Sequence, residues 1–507
     1  MPYALAAGRG TAPPSLLLLL PALLAGSALL AGCAGLAPPA APGGAEDFAS
    51  FVVLGPEGAA VARVLTAAPA CPAIELDGRL RPMTLRAPAA TLAPRRADAK
   101  AAAKAVAEAE AVPGAAAKAV AKAAAKAVAF PVLSCEAALP AGTASASVLG
   151  RALPLPRAEP RRIVVIGDTG CRLKRSDDGD SYQACNDAGQ YPFATVAAAA
   201  AAWRPELVVH VGDYHYREHP CPAGNAGCAG SPWGYGWDAW NADFFAPGAA
   251  LLRAAPWVVA RGNHESCGRA GQGWWRLLDP RPLLPGRDCN ATADDAVGDY
   301  SEPYAVPLGQ DTQLLVLDTA ATSWRGLKPD SLGYRRYQEA YRQLDALARR
   351  ASRNIGVDHH PLLGFGAERG ADGAIVLRPG DAGLQQAFGA LNPLLLPERI
   401  QTMLSGHVHL WQQVSFSSAH PSQFIAGFSG TAEDVVPLPA PLPPGASPAP
   451  GAVVDQLSSW IDGFGFMTME RQGAEQWLVR VHDRHGALRN SCRVDGRRSR
   501  CELARVE

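Results

Sequence analysis

Five short segments of the chain combine oxygen and nitrogen donors: Gly167-Asp168-Thr169-Gly170, Gly212-Asp213-Tyr214-His215-Tyr216, Gly262-Asn263-His264-Glu265, His359-His360-Pro361 and Gly406-His407-Val408-His409. Carboxylates from Asp168 and Asp213, an amide oxygen from Asn263 and imidazoles from His359, His407 and His409 suit hard or borderline metal ions. A carboxylate has two oxygens, so one aspartate can bridge two cations, and a cation pair lowers the pKa of a shared water. Histidines two apart, as at 407 and 409, point to opposite sides when extended but can straddle two neighbouring ions in a turn. Gly167, Gly212, Gly262 and Gly406 each precede a donor and permit tight turns.

The elements that must position these donors are legible nearby. Runs at 163–166, 207–211 and 257–260 read as buried strands, and 400–404 as a weaker one. Donors just beyond such runs predict a site at the carboxyl edge of a sheet, where open α/β folds bind ligands. Helices are expected over 194–202, 238–252 and 334–350, with a further strand at 313–317. This alternation argues for an α/β layer fold. Segments 465–471 and 476–482 flank Gln472-Gly473 and read as an antiparallel addition. The Pro-rich stretch 435–452 reads as a mobile loop. Trp233, Trp237, Trp240, Trp274 and Trp275 read as packing or a pocket wall.

Charge balances at 47 basic and 47 acidic residues in 507, which argues against a nucleic-acid partner bound through a broad basic face. At the amino terminus Arg9 precedes an apolar run at 16–30 that ends in Leu30-Ala31-Gly32-Cys33. That ending resembles the lipobox of bacterial lipoproteins. It implies a signal peptide over 1–32, lipidation of Cys33, a flexible tether over 33–50 and a periplasm-facing, membrane-anchored protein. Cleavage as an ordinary signal peptide would instead give a soluble periplasmic or secreted one. Without Cys33 ten cysteines remain, an even number suited to an oxidising compartment, and no Cys-x-x-Cys suggests zinc. Neighbour spacing suggests the pairs 171/185, 221/228, 267/289 and 492/501, leaving 71 with 135. Short apolar runs across 51–156 suggest a small β-rich domain before a catalytic domain over 161–507. An Ala/Lys insertion at 97–129 interrupts it, with Lys118, Lys122 and Lys126 on one helical face.

The order Asp, Gly-Asp, Gly-Asn-His-Glu, His-x-Pro, Gly-His-x-His resembles the calcineurin-like metallophosphoesterase superfamily, and its purple acid phosphatase type in particular. Most of the superfamily has Asp-x-His in the first motif; Gly170 stands there in this chain, and Tyr216 supplies the tyrosine of Gly-Asp-x-x-Tyr. The resemblance covers about 161–409. It implies a four-layer sandwich of two mixed sheets flanked by helices. It also implies two metal ions, one held by Asp168, Asp213, Tyr216 and His409, the other by Asp213, Asn263, His359 and His407. Tyrosinate favours Fe(III) at the first position, with divalent Fe, Zn or Mn at the second. In the fourth motif Pro361 selects His359, whereas Val357 would select His360. Glu265 and His215 are expected around the ligands. His264 is implied as general acid or transition-state stabiliser.

The implied reaction is hydrolysis of a small-molecule or peptide-borne phosphate monoester by hydroxide held at the metal pair. A phosphodiesterase or nucleotidase could use the same donors. A non-catalytic envelope lipoprotein with a degenerate site is a reading that metal content would test. Oligomeric state has no sequence signal.

Overall fold

The computed structural model describes residues 47–95, 126–175, 180–433, 435–439 and 441–505. The signal-peptide and lipidation readings at 1–33, nearly all of the tether and most of the Ala/Lys insertion lie outside them.

Alternation along the strands sets the layers. In Arg162–Ile166 the residues Ile163 and Val165 face one core, while Val164 and Ile166 face another. Leu207–His210 divides the same way, with Leu207 and Val209 on one side and Val208 on the other. Strands buried on both faces read as continuous apolar runs, which is why these were conspicuous. Arg162–Ile166 pairs in parallel with Leu207–His210, which pairs in parallel with Trp257–Val259. On the other side it meets Gly465–Arg471, the antiparallel addition, followed by Gln476–Asp483.

The amino-terminal segment has the expected β character, but much of it extends this same sheet. Asp47–Leu54 lies parallel to Trp257–Val259, with Val53 opposite Trp257, and carries Ala60–Thr66, Leu133–Leu139 and Thr84–Ala87 beyond it. Eleven strands result. A smaller sheet built on Ala73–Leu76 packs nearby, yet Val64, Ile74, Cys135 and Val148 share one core with Ile163 and Leu314. The segment covers an edge that would otherwise present unpaired backbone groups.

The second sheet has seven strands, four of them mutually parallel: Thr312–Val316, Arg353–Val357, Ile400–Ser405 and Ser422–Ala426. Leu314, Val357, Leu404 and Phe424 face the first sheet across the shared core. Helices close both outer faces. Phe193–Ala202 and Ala246–Leu252 pack under the first sheet, Leu332–Ala348 and Ala382–Gly389 on the second. The fold is a mixed α/β sandwich in four layers.

Three departures from the sequence reading matter. Arg353–Val357, which delivers His359, has no strand signature in the sequence because Asn354 and Gly356 interrupt its apolar run. Asn354 is satisfied by the carbonyls of Ala348, Ala351 and Arg399, and a Cβ at Gly356 would come within 2.3 Å of Met403 Sδ. The helix expected over 238–252 runs from Trp237 with a π turn at Asn241–Phe245, a feature that often marks functional sites. The Pro-rich stretch has no regular element where described, but Leu438, Ala449 and Ala452 are buried, so packing anchors it. All five disulfides suggested by spacing form.

Candidate metal centre

Donor after donor sits where a strand ends and the backbone turns sharply. Asp168, Asp213 and His407 adopt left-handed backbone, with φ of 54°, 59° and 70°. Such conformations cost about 1–3 kcal/mol each and cluster at functional sites. Two glycines are needed beside them. Gly212 has φ 100°, and a Cβ at Gly262 would lie 2.0 Å from Asp213 Oδ1.

The side chains converge in two groups. Tyr216 Oη stands 2.8 Å from Asp168 Oδ1, Asp213 Oδ2 and His409 Nε2. His409 Nε2 is 3.2 Å from Asp168 Oδ1. In the second group His359 Nε2 is 3.1 Å from both Asp213 Oδ2 and Asn263 Oδ1, and His407 Nδ1 is 3.0 Å from that same amide oxygen. Asp213 Oδ2 belongs to both groups, whereas Oδ1 accepts the His264 N–H at 2.9 Å. The shared atom is therefore a single carboxylate oxygen.

Hydrogen bonding alone does not satisfy these groups. A phenol has one proton and cannot donate to two carboxylates at once. Burial, reinforced by Asp168 and Asp213, holds the Tyr216 phenol well above its ordinary pKa, so a cation is needed before it can ionise. His359 Nδ1 lies 2.8 Å from the Val211 carbonyl and donates there, which aims the Nε2 lone pair at two acceptors. Protonating Nε2 is the only other remedy. Burial opposes that, but the Asp213 carboxylate overrides burial and holds the imidazole at about 9 without metal. Donors about 2.0–2.1 Å from one octahedral ion stand about 2.9 Å apart, the spacing found in both groups. The donor set fits cations.

His360 belongs to neither group through the atoms just described. Its Nδ1 contacts Thr319 Oγ1 at 3.1 Å, and its ring packs 4.2 Å from that of His407. It remains close enough to stand with His359 and His407 as a third nitrogen donor. Glu265 points away from the metal positions. Its two oxygens accept from the backbone N–H groups of Asp213, Tyr214, His215 and Gly262 at 2.9–3.2 Å, pinning two donor loops together. His215 also turns away: Nε2 meets the Gly234 carbonyl at 2.9 Å, and the ring packs near Tyr235 and Trp240. Trp237, Trp240, Trp274 and Trp275 pack in the core beneath the first sheet.

His264 stands at the edge of the first group, its ring 3.8 Å from that of Tyr216 and Nε2 3.8 Å from Asp213 Oδ2. Arg269 reaches it at 2.7 Å, and the same guanidinium holds Glu218 at 2.5 Å. Burial and the Arg269 charge both lower the His264 pKa. Arg269 and Glu218 carried no sequence signal. Neither did Arg172, 2.6 Å from His409 Nδ1, or Asp243. Asp243 fills the place a side chain at position 170 would need, since a Cβ on Gly170 would come within 2.9 Å of its Oδ2. It accepts the N–H groups of Cys171, Tyr216 and Arg217 and pairs with the Arg217 side chain at 2.6 Å. A buried carboxylate thus fixes the tyrosine loop where histidine is absent.

Residues 161–410 match the calcineurin-like phosphoesterase family model. The chain carries a calcineurin-like phosphoesterase domain and is a metal-dependent phosphoric ester hydrolase. Among solved structures it is similar to a purple acid phosphatase, PPD1, from yellow lupin (Lupinus luteus) seeds, at 14% identity and a TM-score of 0.50, covering 88% of this chain and 74% of that one. It is likewise similar to PhoD, at 12% identity and a TM-score of 0.51, covering 92% and 94%. These likenesses are of fold. A search of curated protein sequences returns no match.

Proposed function

We propose that the chain hydrolyses phosphate monoesters at a pair of metal ions, in the manner of a purple acid phosphatase. The observation that carries this is Asp213 Oδ2, one oxygen common to a Tyr216 group and an Asn263 group. Asp168, Asp213, Tyr216 and His409 would hold one ion, suited to Fe(III) by the phenolate. Asp213, Asn263, His359 and His407 would hold a divalent Fe, Zn or Mn. When bound, the pair supplies a nucleophile at neutral or acidic pH and offsets charge on the phosphate oxygens.

The chain's own residues do the rest. Glu265 and Asp243 fix the donor loops through backbone N–H groups, so the donors are in place before substrate arrives. His264 lies beside the shared oxygen, positioned to hydrogen-bond a phosphate oxygen or pass a proton to the departing alkoxide. Arg269 and Glu218 keep its ring from turning away.

The resemblance of Leu30-Ala31-Gly32-Cys33 to a lipobox supports a lipid-anchored enzyme facing the periplasm, and five disulfides accord with an oxidising compartment.

Metal analysis of the purified protein with a panel of aryl phosphate, bis-aryl phosphate and nucleotides across pH tests this reading. The expected result is two ions per chain and a monoester preference peaking at acidic pH. A preference for diesters would replace it with a phosphodiesterase, and a single ion per chain would overturn the metal pair.

A further inference from the structure

A cavity of about 420 Å³ opens beside His407. Its walls are apolar, built mainly from Pro361, Phe365, Val408, Val435 and the indole of Trp324. The hairpin of Gly366–Arg369 and Ile375–Arg378 forms one side. Arg378 is engaged there, ion-paired with Glu368 and lying 4.6 Å over the Trp324 ring. Asp381 lies on the wall and is only 7% exposed. Its Oδ1 accepts from Thr322 Oγ1 and Leu384 N at 2.8 Å, capping the helix Ala382–Gly389. The volume lies in the range of small-molecule sites, and a mainly apolar lining with a few polar groups, here His407, Asp381 and the Arg378–Glu368 pair, is theirs as well.

We infer that this cavity receives the alcohol portion of the phosphate ester, and that this portion is an apolar, ring-sized group. The inference rests on the phosphoesterase reading, since His407 is what ties the cavity to the phosphate position. With the phosphate held at the two donor groups, the ester oxygen directs its substituent past His407, between Phe365 and Trp324. Gly366 offers a way to close the space. A Cβ built there meets Arg378 Cβ and Val408 Cγ1 at 3.6 Å and Val435 Cγ1 at 4.0 Å, ordinary contacts with three residues that line the cavity, so a larger side chain at 366 extends among them.

Non-hydrolysable anions separate the two readings. The metal-loaded protein is titrated by calorimetry with inorganic phosphate, methylphosphonate and phenylphosphonate. Phenylphosphonate is expected to bind about tenfold or more tightly than methylphosphonate, the gain from burying a ring. Gly366→Leu drives the phenyl-to-methyl ratio toward one. Equal affinities for methyl and phenyl in the wild type, or a ratio that survives Gly366→Leu, overturn the cavity assignment while phosphate binding upholds the metal-pair reading of the site. Failure of all three anions to bind removes that reading, and the cavity assignment with it.

Discussion

Tyr216 Oη and Asp213 Oδ2 stand 2.8 Å apart in the core of the site, a phenol facing the oxygen common to both donor groups. Neither can be satisfied by the other while Asp168 shares the same phenol. If that phenol ionises against Fe(III), the iron-loaded protein absorbs visible light through phenolate-to-iron charge transfer, and Tyr216→Phe does not. Absorption spectra of the two proteins at equal iron content check this. A colourless iron-loaded wild type, or a band that persists in Tyr216→Phe, sinks the tyrosine ligand.

The His264 ring packs on the Tyr216 ring and meets Arg269, while it is the backbone N–H of His264 that binds Asp213. Its imidazole is therefore dispensable for holding metal. His264→Ala is expected to lower kcat by about 10²–10⁴-fold, the usual worth of a positioned acid, while bound metal stays constant. Elemental analysis alongside steady-state kinetics on an aryl phosphate reads both quantities. Unchanged kcat would assign the ring to packing.

The contrast between legible and hidden parts follows from how each residue acts. Runs such as Ile163 to Ile166 announce buried strands, because both faces need apolar side chains, and seven donors named from the sequence converge at their ends. Arg353–Val357 stayed hidden because its buried residues include Asn354, satisfied by three carbonyls only after folding. Asp243 was opaque for a related reason, since it acts on the site through backbone N–H groups, and backbone carries no sequence signature. Glu265, expected around the ligands, acts in the same hidden way, through four backbone N–H groups. Pairing of Val53 with Trp257 joins the amino-terminal segment to the main sheet, a long-range choice that local patterning cannot encode.

Glu265 gives the sharpest test of that hidden layer. Oε2 accepts from Asp213 N and Gly262 N, and Oε1 from Tyr214 N and His215 N. Glu265→Gln turns one acceptor into an amide donor facing two N–H groups. The expected cost is about 2 kcal/mol or more of stability, at about 1–3 kcal/mol for each buried donor left unpaired. Metal affinity should fall about 10–100-fold, because the Asp213 loop loses its anchor. Thermal melts with and without chelator measure the two effects. Wild-type metal affinity in this variant would show that the loop holds itself.

Glu218 sets the acid limit of the site. Burial works to raise its carboxyl, but Arg269 at 2.5 Å and His264 outweigh it and hold the pKa well below the ordinary value. A folded pKa below the unfolded one, about 4.3, means the unfolded chain binds the proton first as pH falls. The stability from this pair is thus fully present above about pH 5 and is lost progressively below pH 4.3 as pH falls through the folded pKa. Glu218→Gln leaves the partly buried Arg269 without its counter-charge, which should cost about 2 kcal/mol near neutrality. The gap between variant and wild type should hold steady from pH 7 to pH 5 and narrow on further acidification. Melting temperatures of both proteins between pH 3 and 7 give the curve. A gap that stays constant down to pH 3 would mean that Glu218 contributes by packing and not by charge.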